Sequence, residues 1–259
     1  SKLNAFLIFQ EERGKTYIDE VTTQDIKAFI AEYIRRGRKN VYINGILNAI
    51  RIMFNYLVDE QVITREQHPG LRIKNLPKEK PKIIVFNDSE VQRMVKVFNG
   101  KGFLEVRDKL IIMLLSDTGI RCSELCKLRI ADVTETQIII RYGKGRKQRS
   151  VYLSPTVNKA MLQYERTKRT YFEGKNYQEQ EEYYFASYRG NKLTVEAVER
   201  VVKRAGARAK VRPEVRCSPH TLRHWWAITS LRNGEDVYML SRLLGHSSIA
   251  TTQIYLDTI

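Results

Sequence analysis

Apolar residues in the first third of the chain return every three or four positions, the period at which a helix buries one face. Ile26, Phe29, Ile30 and Tyr33 follow this spacing after Thr23, a residue suited to cap a helix start. A longer pattern of the same kind goes from Val41 through Ile46, Leu47, Ile50, Met53, Phe54 and Leu57 to Val58, and Ala5, Leu7, Ile8 and Phe9 give the chain an apolar opening. A small all-helical unit is predicted. His68-Pro69-Gly70 interrupts the pattern, and from there to Lys82 the chain carries Pro77 and Pro81 among lysines, with few apolar residues to build a core. A domain boundary is expected near residue 80, with a helical domain over residues 1–78 and a second domain over 79–259.

The second domain mixes two periods. Asn87 or Asp88 caps a helix whose apolar face holds Val91, Met94, Val95 and Phe98, and a further helix through residues 110–115 stops near Gly119. Residues 137–142 are rich in isoleucine and residues 150–153 are short and apolar, so both read as strands. Gly143-Lys144-Gly145-Arg146-Lys147-Gln148 joins them into a hairpin with a basic tip. Ser154-Pro155, Thr194 and Ser218-Pro219 are good helix starts, since a hydroxyl can cap and proline is tolerated in the first turn. The fold class predicted is mainly α with a small antiparallel β-sheet, an α+β chain.

Composition narrows the function. The longest purely apolar run is six residues, 110–115, and the N-terminus has no basic-apolar-small cleavage pattern, so neither a membrane span nor a signal peptide is expected. Cys122, Cys126 and Cys217 are odd in number and lie in well-patterned segments, which argues against a disulfide framework and for a reducing, cytoplasmic setting. With 45 Lys plus Arg against 29 Asp plus Glu, the net charge is +16, which makes nucleic acid the default partner. The cations cluster. Residues 141–149 hold five and no acid, and residues 200–216 hold seven against Glu214. Such runs can neutralise backbone phosphates, although a single charge run is more often a solvated face.

Three of the four histidines fall in the last forty residues beside Arg223 and Tyr255. If Pro219 is the first helical residue, His220 and Arg223 share one face of the first turn, where free backbone N–H groups also favour an anion. Gly234 ends that helix, residues 237–244 form a short apolar one, and Gly245 ends it in turn, leaving His246 at a turn nine residues before Tyr255. Each piece alone is weak, because a histidine near a helix start is usually a cap and a tyrosine near a C-terminus is usually packing.

Together, His220-Thr221-Leu222-Arg223-His224, Leu243-Leu244-Gly245-His246-Ser247 and Thr251-Thr252-Gln253-Ile254-Tyr255 resemble the signature boxes of the tyrosine recombinase, or phage integrase, family. Asp117-Thr118-Gly119-Ile120-Arg121-Cys122-Ser123-Glu124-Leu125 is similar to the box bearing that family's first catalytic arginine, and the hairpin tip to its lysine turn. The resemblance implies Tyr255 as nucleophile, Arg121 and Arg223 on the phosphate oxygens, His220 as base, His246 as a phosphate donor, and Lys144 as the acid with Lys147 the fallback. It further implies double-stranded DNA as partner, a helical core-binding domain of the SAM-like kind closing with the catalytic domain as a C-shaped clamp, a tetramer on two DNA sites, and neither metal nor nucleotide cofactor.

The residue types suit the chemistry. A phosphodiester is a poor, charged electrophile, so attack by a phenol needs cations at the non-bridging oxygens, and a planar guanidinium bridges two of them. The product, a 3′-phosphotyrosine and a free 5′-hydroxyl, conserves the bond energy for rejoining. Glu124 is a candidate to orient a catalytic group or a surface ion pair, and His224 a candidate buttress or a packed structural histidine. Trp225 either crowds the pocket or approaches DNA; with Trp226 it departs from the smaller hydroxyl-plus-aromatic pair the family pattern leads one to expect.

Three rival readings are a zinc site built on Cys122-x3-Cys126 and His220-x3-His224, DNA binding without catalysis, and a type IB topoisomerase. The sequence ends four residues after Tyr255, where family members usually carry a further helix. Either the tail is naturally short or the sequence is cut from a longer one.

Overall fold

A computed structural model of the chain describes residues 2–77, 83–141, 148–174, 182–246 and 248–258. It divides into two compact units, Ser1–Lys82 and Ile83–Ile259.

The first unit is helical. α1 (Lys2–Glu11), α2 (Thr23–Arg35) and α3 (Asn40–Asp59) close on a core of Phe6, Ile26, Phe29, Ile46, Leu47, Ile50 and Phe54. Thr22, one residue before the position expected, caps α2: its hydroxyl accepts from the Asp25 N–H at 3.3 Å while Asp25 Oδ2 accepts from the Thr22 N–H at 2.9 Å. On α1 it is Phe6 that turns fully inward, edge-on to Phe29 with ring centroids 5.2 Å apart, while Leu7 and Ile8 face outward. By length and composition α3 is apolar enough to cross a membrane, but Ile43, Ile46, Leu47, Ile50 and Phe54 fill this core instead.

The segment read as linker is strapped to α3 as far as residue 77. Asn44 pairs with Leu76 in both directions at 2.8 Å, Asn40 donates to the Pro77 carbonyl, and Arg51 donates to the carbonyls of Gly70 and Ile73. Backbone groups that have no helical or sheet partner are satisfied there by side chains, a device that apolar periodicity does not reveal.

The second unit is built around α5 (Phe103–Thr118), where Leu110, Ile111, Ile112, Leu114 and Leu115 are all fully buried. A helix apolar on every side must be surrounded. α4 (Asp88–Lys96), α7 (Pro155–Phe172), α8 (Val195–Arg208) and α9 (Pro219–Arg232) pack against it. The expected caps are present: Asn87 for α4, Ser154 for α7, Thr194 for α8 and Ser218 for α9 each accept an N–H of the first turn. β1 (Gln137–Ile140) and β2 (Arg149–Tyr152) pair antiparallel with Ile138 opposite Val151, both buried, which meets the expectation of a mainly helical chain with a small antiparallel sheet. Short helices α6 (Cys122–Lys127), α10 (Val237–Leu244) and α11 (Ala250–Gln253) complete the unit.

Ion pairs use up part of the basic cluster at residues 200–216. Arg204 binds buried Asp108, Arg208 binds Glu105, and Arg212 grips Glu90, whose carboxyl those bonds hold down at about 2. These three cations therefore knit α8 and the segment after it to α4 and α5.

Candidate active site

The site forms where α5 ends, α6 begins, and the C-terminus of α10 meets the start of α9. Gly119 ends α5 in the left-handed conformation at φ +58°, and a Cβ there would lie 2.3 Å from the Trp226 ring. Only glycine fits both the turn and the indole. Two residues on, the Arg121 N–H donates to Glu124 Oε2 at 2.8 Å, which starts α6. This local turn fixes the Arg121 backbone.

Three guanidiniums then share the last turn of α10, each taking one of three consecutive carbonyls. Arg149 Nε donates to Leu243 O at 2.8 Å, Arg223 Nη2 to Leu244 O at 2.6 Å, and Arg121 Nη2 to Gly245 O at 3.0 Å. The last carbonyls of a helix lack internal partners and carry the negative end of its dipole, so cations belong there. Gly245, left-handed at φ +64°, turns the chain immediately beyond. Arg223 is further held by Gly119 O at 2.6 Å.

One carboxylate stands among these cations. Glu124 accepts from Arg149 Nη1 and Nη2 at 2.9 and 2.7 Å and from Arg121 Nη1 at 3.0 Å. Burial pushes its carboxyl up, but Arg149, with Arg121, outweighs burial and holds it below the usual carboxylate range. Among the described residues, three positive charges against one negative leave a surplus that suits a bound anion. Burial, reinforced by Arg121, lowers the Arg223 guanidinium to about 10.

His246 follows the turn. Arg223 Nη2 lies 3.2 Å from its Nε2, and its Nδ1 lies 2.8 Å from Thr252 Oγ1. Because arginine only donates, Nε2 accepts and the ring proton sits on Nδ1, facing the threonine. Burial and then Arg223, Arg121 and Arg149 push His246 down to about 4, so the ring is neutral at pH 7.

Tyr255 lies in a small apolar cluster with Ala227, Ile228, Leu240 and Leu244 and is 2% exposed. Burial raises its phenol, against the pull of Arg223 and Arg121. His224 Nδ1 is 2.8 Å from its hydroxyl, and the His220 ring meets His224 edge-on with centroids 4.1 Å apart. Burial, then His220 and Arg223, lower His224 to about 4, while burial and Arg223 lower His220.

The fold thus brings Arg121, Arg223, His220, His246 and Tyr255 into one region, whereas Lys144 and Lys147 lie outside the described residues, as does Ser247. Trp225 donates to Asp88 Oδ1 at 3.0 Å and Trp226 to Asp117 O at 2.8 Å, so both indoles serve packing in this state. Among the described residues no group of three or more His, Cys, Asp or Glu is placed to hold a metal ion. Sequence reasoning passed over Arg149 and Thr252 as individual residues. Arg149 sits at the base of the basic hairpin, and its cluster was the only signal available.

Residues 85–258 match the model of the phage integrase family. The chain belongs to that family. It is 30% identical to tyrosine recombinase XerD of Oceanobacillus iheyensis over 98% of this chain and 84% of that one. It is also 30% identical to tyrosine recombinase XerA of Pyrococcus horikoshii, over 90% and 75% of the two chains. Its fold is similar to that of XerH site-specific recombinase bound to its difH substrate in a post-cleavage complex, with a TM-score of 0.77, 22% identity, and coverage of 96% of this chain and 73% of that one.

Proposed function

We propose that this phage integrase family member is a site-specific DNA recombinase that cuts and rejoins strands through a covalent 3′-phosphotyrosine on Tyr255. The observation that carries the reading is the surplus of positive charge at the last turn of α10: three guanidiniums, one carboxylate, and Tyr255 close enough to feel two of those cations. A scissile phosphodiester supplies the missing negative charge. Arg121 and Arg223 then bind its non-bridging oxygens in exchange for helix carbonyls, so their orientation is set before DNA arrives.

Each step balances. The Tyr255 oxygen forms a bond to phosphorus as the bond from phosphorus to the 5′-oxygen breaks, and the leaving oxygen takes a proton from Lys144, or from Lys147 in its place. The family resemblance gives His220 as the expected base. His246 turns from acceptor to donor when a phosphate draws Arg223 away from Nε2 and favours a proton there. Rejoining is the reverse, with a 5′-hydroxyl attacking the phosphotyrosine. Because Tyr255 is 2% exposed, the phenol must become accessible as DNA binds.

The helical first unit serves as the core-binding domain, and the two units act as a clamp on duplex DNA, with four protomers joining two sites in the compartment that holds chromosomal or mobile-element DNA. The net charge of +16 supports binding to backbone phosphates. Sequencing DNA ends recovered covalently attached to the protein from cells tests this reading. The expected result is a discrete set of 3′ ends sharing one sequence, lost in Tyr255→Phe. Ends scattered without a common sequence favour a type IB topoisomerase, and no attached DNA leaves only a non-catalytic binder.

A further inference from the structure

The catalytic tyrosine has a partner that the family boxes leave without a role. His224 follows Arg223 directly and lies four residues after His220, so the two histidines share a face of α9. It is His224 whose Nδ1 stands 2.8 Å from Tyr255 Oη, within the range expected of a base and the proton it removes. His220 touches the His224 ring instead of the phenol.

The direction of this bond follows from burial. Tyr255 is 2% exposed, and a buried phenol O–H needs an acceptor. His224 Nδ1 fills that need when the ring proton is on Nε2. If Nδ1 carried the proton, the phenolic hydrogen would have no acceptor among the contacts seen. With His224 lowered to about 4 and the phenol raised, both groups are neutral at pH 7, which is the protonation state this bond requires.

We propose that His224 is a catalytic residue of strand cleavage: its Nδ1 aims the Tyr255 hydroxyl and takes up the phenolic proton as the oxygen attacks phosphorus. The O–H bond of Tyr255 breaks, an N–H bond forms at Nδ1, the bond from Oη to phosphorus forms, and the 5′-oxygen leaves with a proton from the general acid. In the rejoining direction the same Nδ1–H returns its proton to the departing phenolate. A bound DNA phosphate beside the site favours the imidazolium formed on the way. His220, edge-on to the ring, acts through His224 rather than on the phenol.

This proposal rests on Tyr255 being the nucleophile, and the test separates the two. Formation of the covalent adduct is timed in single turnover on a nicked duplex carrying the site mapped by end sequencing. Wild type, His224→Phe and His224→Asn are compared, each with either tyrosine or the more acidic 3,5-difluorotyrosine at position 255. His224→Phe should slow cleavage by about 100-fold or more, the usual weight of a positioned base. His224→Asn, whose Oδ1 can stand in for Nδ1 as acceptor, should recover part of the rate. Difluorotyrosine should speed the Phe variant at least about ten-fold more than it speeds wild type, because an acidic phenol needs less help.

Cleavage by His224→Phe at the wild-type rate overturns the proposal, and so does an equal effect of difluorotyrosine in both backgrounds. If wild type itself forms no adduct, the reading of Tyr255 fails and this one falls with it. Should His224→Phe not fold, ¹⁵N NMR of the DNA-free wild-type protein still decides. His224 must show a protonated Nε2 and an Nδ1 signal that moves in Tyr255→Phe; a protonated Nδ1 overturns the assignment.

Discussion

Replacing Glu124 by glutamine removes the negative charge that Arg121 and Arg149 share and leaves the side chain's shape intact. In the folded protein Glu124 accepts four hydrogen bonds, one from the Arg121 N–H, one from Arg121 Nη1 and two from Arg149. The carboxylate side chain is 5% exposed and that of Arg149 is 12% exposed, so the pair is well shielded from water. Breaking a buried ion pair by removing one partner costs about 3–5 kcal/mol, chiefly because the other charge is left without compensation. Glutamine keeps one acceptor oxygen but turns an N–H₂ toward cations, which places the cost near about 3 kcal/mol. For a unit the size of Ile83–Ile259 that corresponds to a fall in Tm of about 6–12 °C at pH 7.

The pH dependence gives the sign. The Glu124 carboxyl is lowered in the folded state, so its contribution is fully present above its unfolded value of about 4.3 and is lost as pH falls through the lower folded value. Calorimetry of wild type and Glu124→Gln from pH 7 to pH 3 should show a wide gap that closes on the acid side. A Tm within about 2 °C of wild type at pH 7, or a gap that stays constant down to pH 3, would refute the reasoning.

Gly119→Ala should destabilise the second unit by about 3 kcal/mol or more, since its Cβ meets the Trp226 ring at 2.3 Å on a left-handed backbone. Gly234→Ala, at φ +91° with open space around it, should cost only about 1 kcal/mol; urea melts that rank the two in the opposite order contradict this. Asn44→Ala removes both bonds to the Leu76 backbone and should lower stability of the first unit by about 1–3 kcal/mol, with amide exchange at Leu76 accelerating as the strap loosens. Arg223→Lys should reduce adduct formation by about 100-fold or more, because an ammonium cannot bridge two phosphate oxygens in one plane as the guanidinium does; adduct kinetics that match wild type would argue against that role.

Features that depend on neighbours in sequence were legible before any coordinates. Ser154-Pro155 and Ser218-Pro219 start helices because a hydroxyl and a proline each solve a first-turn problem locally, and Gly119 and Gly245 stop helices because only glycine takes φ > 0 without strain. Periodicity identified the helices of both units but not every face. It did not single out Phe6, which turns inward, from Leu7 and Ile8, since side-chain direction on a short terminal helix is set by what packs on it.

The electrostatic frame of the site was not legible. The carbonyls of residues 243–245 have no side-chain signature, and Arg149 reaches them only because β2 runs past α10. Likewise His224 reads from sequence as a helical neighbour of Arg223, and only the return of the chain end brings Tyr255 Oη to its ring.

The most direct test of the account is to identify the residue and the DNA end joined in the covalent adduct. The adduct is denatured, digested with nuclease and protease, and sequenced by mass spectrometry. The account predicts a nucleotide 3′-phosphate esterified to the Tyr255 phenol, with a free 5′-hydroxyl on the released strand. A link to any other side chain, or to a 5′-phosphate, contradicts it.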